Sequence, residues 1–246
     1  MPEPALSVVD VDGCELALFD HGGGPGPALV LLHGGGRSAA DWRDVARLLV
    51  AGGCRVVAFD LRGHGLSGAM GPRWSFDDAV ADVDAVAAAL GLWRPFVVGH
   101  SLGGLLAMRY GGRSPGCPGV MNVDGVGAAL PATFPGPAGD RDRVRGFVDS
   151  VVASAIGAGG EPDPLGAAVL DFDVFSAMRA VRCPCHFVAA TGGDQVSPEM
   201  ALWRNAVVHE VRRLGIPVSV VDSGHLMPTQ APDALASIIF DWVRPQ

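Results

Sequence analysis

The chain of 246 residues contains no lysine, and all 18 of its basic residues are arginine. Schiff-base chemistry, the Walker A phosphate loop and the Ser-x-x-Lys acyl-enzymes each require a lysine, so their absence excludes all three mechanisms. Cysteine is also scarce. The five cysteines are an odd number at irregular spacing, which favours a reducing compartment over a disulfide framework and predicts a cytoplasmic protein.

Long apolar runs and an excess of positive charge are missing as well. No run approaches the roughly 18 residues of a membrane span, and residues 1–4 do not begin a secretory signal. The net charge of −8 argues against nucleic-acid binding. The sequence therefore predicts neither a nucleic-acid nor a membrane partner, whereas its 49% of hydrophobic residues are enough for a large core.

Strand-like apolar runs alternate with segments of helical periodicity along most of the chain. This alternation predicts a doubly wound, mostly parallel eight-stranded sheet of the α/β class with helices on both faces. Residues 125–182 interrupt the alternation and are interpreted as a helical cap insertion, with helices expected at Arg141–Ile156 and Pro164–Met178. The predicted core is then residues 1–124 and 183–246.

The motif Gly99-His100-Ser101-Leu102-Gly103 lies between an apolar strand and a helix-compatible run. A serine at such a turn adopts a strained backbone conformation and stands at a helix N-terminus, where N–H groups face a developing anion. The same pattern recurs at Gly112–Gly116, but there Pro115 removes the N–H that would complete an oxyanion hole. Ser101 is therefore the predicted nucleophile.

A serine nucleophile requires a base, and the base requires an orienting carboxylate. His225 directly follows the strand predicted at Val218–Val221, and Asp194 follows the strand predicted at Cys185–Ala190. Both residues lie at the carboxyl edge of the sheet, where α/β proteins place their sites. Asp194 is the predicted acid, and Asp124, which also ends a strand, is the alternative.

The chain resembles the α/β-hydrolase superfamily over nearly its whole length. The motifs that carry the resemblance are His33-Gly34-Gly35-Gly36, the segment 60–67 (DLRGHGLS), Gly99–Gly103, Gly193-Asp194 with Pro198, and Gly224-His225. The resemblance implies the α/β-hydrolase fold and a triad in the order Ser, Asp, His. It also implies an oxyanion hole formed by the backbone N–H groups of Gly35 and Leu102.

Candidate pocket residues are harder to identify from the sequence. The predicted pocket contains Gly34, Trp42, His100 and Met227, although for Trp42 core packing is the favoured interpretation and the pocket wall is the alternative. His100 is expected to point into the packing behind Ser101.

Other motifs predict no further chemistry. His33 and His64 are expected to be scaffold residues. Cys183-Pro184-Cys185 has too short a spacing for a zinc site, and the sequence predicts neither a metal nor a cofactor.

These features predict acyl transfer to water on a small molecule with an ester-like bond (a carboxylester, a lactone or a thioester). Two alternatives stay open. One is non-hydrolytic chemistry on the same fold, such as a C–C hydrolase or lyase or a cofactor-free perhydrolase. The other is a ligand-binding protein that retains the triad. Arg141, Arg143 and Arg145 either recognise an anion or form a solvated helix face, and a homodimer is left open.

Overall fold

A computed structural model describes residues 3–71, 74–114, 116–156, 164–192 and 196–244. Among these residues, no helix is long and apolar enough to cross a membrane. The chain forms one eight-stranded sheet in the order β1-β2-β4-β3-β5-β6-β7-β8. The strands are β1 Ala5–Val11, β2 Cys14–Gly23, β3 Ala28–Leu32, β4 Arg55–Phe59, β5 Phe96–His100, β6 Val120–Val123, β7 Cys185–Ala190 and β8 Val218–Val221.

Strand β2 pairs antiparallel with both β1 and β4. The six strands β4-β3-β5-β6-β7-β8 run parallel to one another. The helices are α1 Arg43–Ala51, α2 Phe76–Ala89, α3 Leu102–Arg113, α4 Ala138–Ile156, α5 Pro164–Asp171, α6 Val174–Ala180, α7 Pro198–Arg213, α8 Met227–Gln230 and α9 Pro232–Val243. A 3₁₀ turn at Ala39–Trp42 precedes α1. The α/β-hydrolase fold class is confirmed.

Each central strand is apolar on both sides because both faces of the sheet are covered. In β3, Val30 and Leu32 join the core beneath α2, α3, α6 and α7. Leu29 and Leu31 join the opposite core with α1, α8 and α9. The period of two sends alternate side chains to opposite cores, and the predicted buried strands are confirmed.

The helix expected over Pro164–Met178 is instead two helices, α5 and α6. The break comes at Asp173, whose side chain accepts a hydrogen bond from the backbone N–H of Ser176 at 3.0 Å. Asp173 is therefore the N-cap of α6. An aspartate that accepts a hydrogen bond from the backbone N–H three residues later begins a new helix. This capping divides the segment, although its apolar periodicity predicts one continuous helix.

The segment between β6 and β7 is joined to α7 by polar contacts. Thr133 Oγ1 donates to Glu210 Oε2 at 2.7 Å, and Trp203 Nε1 donates to the carbonyl oxygen of Ala129 at 3.1 Å. At the other end of the segment, Phe175 of α6 is buried in the core with α3. The division into a core and a 125–182 cap stays a prediction.

Candidate active site

Ser101 occupies a sharp turn between β5 and α3 with φ 52° and ψ −113°. This left-handed backbone is strained for a residue with a side chain. A Cβ at Gly99 would overlap the carbonyl oxygen of Gly103, and a Cβ at Gly103 would overlap the carbonyl oxygen of Leu32. Both flanking positions therefore require glycine, as the motif indicates.

The structure brings Ser101, His225 and Asp124 into one hydrogen-bonded row. His225 Nε2 lies 3.0 Å from Ser101 Oγ, and His225 Nδ1 lies 2.8 Å from Asp124 Oδ2. A carboxylate at Nδ1 fixes the tautomer in which Nε2 can accept the serine proton. These three residues come from the ends of β5, β8 and β6.

In the described part of the chain, the carboxylate that contacts His225 Nδ1 is that of Asp124, the alternative acid. Asp194 itself lies in residues 193–195, outside the described part of the chain. A carboxylate oxygen can only accept a hydrogen bond, so the contact with Asp124 favours the tautomer of His225 that carries its hydrogen on Nδ1. Asp124 reaches His225 through a left-handed backbone conformation, with φ 53°.

The backbone N–H groups of Gly35 and Leu102 are the predicted donors to a developing oxyanion. In the described chain, neither the N–H of Gly35 nor the N–H of Leu102 donates to a protein acceptor. The two residues are adjacent, since a Cβ on Gly35 would lie 3.9 Å from Leu102 Cβ. Leu102 is the first residue of α3, and its N–H points out of the positive end of that helix. The pair is the candidate oxyanion hole.

A cavity of about 300 Å³ opens from Ser101 and His225 toward α7. Its walls are mostly apolar and include Val126 after β6, Phe187 and Ala189 of β7, and Trp203 and Val207 of α7. This volume is at the lower end of the range of ligand pockets, so it suits a small molecule.

The predicted pocket residues do not line this cavity. Trp42 and Met227 are fully buried in the core on the opposite face of the sheet. His100 is also buried, as expected, and its Nε2 lies 2.7 Å from the carbonyl oxygen of His225. Gly34 packs against His100, because a Cβ there would lie 3.0 Å from His100 Nδ1. The pocket prediction is wrong for Trp42 and Met227 because their side chains face the core beneath the site.

His33 is a scaffold residue. Its Nδ1 lies 2.7 Å from the carbonyl oxygen of Gly34, and its Nε2 accepts a hydrogen bond from the N–H of Leu61 at 2.9 Å. Burial lowers the pKa of His33 to about 4. Burial, with a smaller contribution from the charge of His225, also lowers the pKa of His100 to about 4. Both imidazoles are therefore neutral at physiological pH.

Sequence reasoning missed two residues that hold the acid, Asn122 and Arg204. Asn122 is buried in β6 and binds the backbone of Gly125, and Arg204 of α7 pairs with Asp124. Asn122 is the next-to-last residue of β6, and a polar residue in an otherwise apolar strand was the available signal. Arg204 carried no comparable signal, since it is one of several arginines in a helix.

A family model described as the alpha/beta hydrolase family matches residues 29–238. The chain belongs to this family. The matched region contains the elbow, Asp124 and His225, so the α/β-hydrolase resemblance is confirmed and the chain is an enzyme of the hydrolase fold.

Relatives in this family differ in how much of the chain they match. An N-formylmaleamate deformylase from Pseudomonas putida is 28% identical over 254 aligned positions, covering 90% of each chain. A non-heme haloperoxidase from Rhodococcus erythropolis is 41% identical over 99 residues, which are 40% of this chain and 35% of the relative. The chain thus matches about a third of that relative's length.

Solved structures share the fold at low sequence identity. The enol-lactonase from Burkholderia xenovorans has a TM-score of 0.70 and 19% identity, covering 96% of this chain and 99% of that one. The thioesterase domain from the curacin biosynthetic pathway also has a TM-score of 0.70, with 20% identity over 97% of this chain and 99% of that one. These likenesses establish the architecture alone.

Proposed function

We propose that the protein is a serine hydrolase that cleaves an ester-like bond of a small molecule through Ser101, His225 and Asp124. The observation that carries the proposal is the continuous row from Ser101 Oγ through His225 to Asp124, at 3.0 and 2.8 Å. A serine, a base and an orienting carboxylate in this order are what nucleophilic acyl transfer requires.

In the first half of the reaction, His225 Nε2 accepts the Ser101 proton as Oγ attacks the substrate carbonyl. Asp124 stabilises the imidazolium, and the N–H groups of Gly35 and Leu102 donate to the tetrahedral oxyanion. His225 then returns the proton to the leaving oxygen or sulfur, and an acyl-enzyme on Ser101 remains.

In the second half, water takes the place of the leaving group. His225 removes a proton from the water as it attacks the acyl carbonyl, and collapse of the second tetrahedral intermediate releases the acid and restores Ser101. The leaving group takes the Ser101 proton, and His225 passes the proton that it removes from water to Ser101 Oγ as the second intermediate collapses, so the triad is unchanged after each turnover.

The cavity indicates the substrate class. Its apolar walls favour a substrate whose hydrocarbon part fills the space beside Val126, Phe187 and Val207, and its volume of about 300 Å³ favours a small ester, lactone or thioester. The enol-lactonase and thioesterase among the structural neighbours act on bonds of this kind by their names.

The test is labelling with a fluorophosphonate probe combined with turnover of p-nitrophenyl esters. We expect the wild-type protein to be labelled and to turn over short-chain esters, and Ser101→Ala to lose both. A wild-type protein that is neither labelled nor active would contradict the proposal and favour a ligand-binding protein. Turnover that survives in Ser101→Ala would place the nucleophile elsewhere.

Perhydrolysis is a second candidate, favoured by the similarity to a protein named a non-heme haloperoxidase. Hydrogen peroxide would attack the same acyl-enzyme in place of water and release a peracid. Adding peroxide to the ester assay tests this: peracid formation faster than hydrolysis favours the second candidate, and unchanged release of the carboxylic acid favours hydrolysis.

A further inference from the structure

Arg204 of α7 holds both oxygens of the Asp124 carboxylate. Its Nη1 lies 2.8 Å from Oδ1 and 2.8 Å from Oδ2, and it also donates to the carbonyl oxygen of Ala190 at 2.9 Å. The two side chains are only 15% and 8% exposed, so solvent and salt screen this pair weakly.

The other contacts of Asp124 leave little freedom to the carboxylate. Oδ1 also accepts a hydrogen bond from the N–H of Ala190 at 3.1 Å, and Oδ2 is the oxygen on His225 Nδ1. Arg204 therefore determines, together with the end of β7, which way the carboxylate plane faces the imidazole.

We propose that Arg204 is a positioning residue of the triad, which fixes the Asp124 carboxylate against His225. The inference rests on the proposed function, because it assigns Arg204 a role through Asp124 and His225. Arg204 itself need not touch the reacting atoms.

The sign of the electrostatic effect follows from the charges. Asp124 stabilises the imidazolium of His225, and a cation bound to that carboxylate offsets part of the stabilisation. The His100 ring lies 4.9 Å from the His225 ring and is neutral, since burial lowers the pKa of His100 to about 4. Arg204 is thus the permanent cation on the triad acid.

Arg204 also keeps one hydrogen-bond donor unmet. Its Nε is buried and has no acceptor in the part of the chain that the structure describes. Buried donors without a partner are unfavourable and uncommon, and each calls for an explanation. The position of the Arg204 side chain therefore does not satisfy all of its hydrogen-bond donors. Its contacts with both oxygens of Asp124 explain the position instead.

The experiment compares Arg204→Met, Arg204→Lys and the control Arg212→Met. Arg212 lies on the exposed side of the same helix, so the control makes the same change in net charge away from the site. For each variant, the pH dependence of fluorophosphonate labelling of Ser101 and of kcat/KM for a p-nitrophenyl ester is measured, and folding is checked by thermal unfolding.

We expect Arg204→Met to lower kcat/KM about 10–100-fold and to move the acid limb of its pH profile to higher pH. Arg204→Lys restores the position of the limb and part of the rate, because it keeps the charge, and Arg212→Met matches the wild type. A folded Arg204→Met with the wild-type pH profile overturns the inference. Failure of the wild-type protein itself to be labelled overturns the proposed function instead.

Discussion

The side chain of Asn122 binds both backbone polar groups of Gly125, its N–H and its carbonyl oxygen. Asn122 Nδ2 donates to the carbonyl oxygen of Gly125 at 2.7 Å, and Asn122 Oδ1 accepts from the N–H of Gly125 at 2.7 Å. Asp124 lies immediately before this clamped residue. The turn that carries the acid is therefore held by a buried side chain that itself lies outside the cavity.

Replacing this clamp destabilises the fold and displaces the acid. We expect Asn122→Ala to lower the free energy of unfolding by about 2–3 kcal/mol, because the buried N–H and C=O of Gly125 lose their partners. Urea unfolding measures this change, and kcat/KM corrected for the folded fraction measures the displacement of Asp124. A stable variant with wild-type kcat/KM would show that Asn122 does not hold the turn.

The elbow admits no side chain at Gly99. We expect Gly99→Ala to lower stability by about 1–3 kcal/mol, because its methyl group would overlap the Gly103 carbonyl and force the turn to shift. We also expect fluorophosphonate labelling of Ser101 to decrease in Gly99→Ala. The matched control is Gly146→Ala in α4, where nothing lies within 4 Å of the added Cβ and a gain of about 0.5–1 kcal/mol is expected. Equal effects of the two substitutions would contradict this reading.

Stability falls below pH 6.5 because of the buried histidines. His33 has a pKa of about 4 in the folded protein and an unfolded value of 6.5, so the unfolded state binds more protons between these two pH values. His33 should therefore contribute a loss of about 2 kcal/mol between pH 7 and pH 5. The stabilisation is complete above about pH 6.5 and is lost as the pH falls toward 4.

Urea unfolding of His33→Gln at pH 7 and pH 5 tests this. We expect the variant to be less stable at pH 7 but to lose less stability on acidification than the wild type. His209→Gln, at an exposed position of α7, should keep the wild-type pH dependence. A wild-type slope in His33→Gln would rule out His33 as a source of the acid sensitivity.

The cavity wall sets the size of the substrate. Val208 lines the cavity from α7 and is only partly buried, so Val208→Phe narrows the space with little disturbance of the core. We expect kcat/KM for p-nitrophenyl hexanoate to fall at least about tenfold relative to the acetate ester. Val151→Phe, on the exposed side of α4, is the control. An unchanged chain-length preference in Val208→Phe would mean that the hydrocarbon part binds elsewhere.

The parts of the site that depend on local backbone could be predicted from the sequence. Ser101 and its glycines follow from the space available at one turn, and His225 follows from its place after a strand. The acid could not be chosen this way, since Asp124 and Asp194 both follow strands. The choice depends in part on the contact of Asp124 with Arg204, which lies on α7, 80 residues further along the chain.

The prediction of the pocket residues Trp42 and Met227 was wrong for a related reason. Trp42 and Met227 are close in sequence to site motifs, but sequence proximity does not determine which face of the sheet a side chain enters. Both enter the core with α1 and α9. The residues that do line the cavity, such as Trp203 and Val207, lie on a helix whose position depends on the whole β7–β8 connection.

The identity of the acid is the most direct test of the site. The measurement is kcat/KM for a short p-nitrophenyl ester with Asp124→Asn and Asp194→Asn, each confirmed to be folded by thermal unfolding. The triad of Ser101, His225 and Asp124 predicts a loss of about 10³–10⁴-fold in Asp124→Asn and a value near that of the wild type in Asp194→Asn. A large loss in Asp194→Asn with activity retained in Asp124→Asn would contradict it.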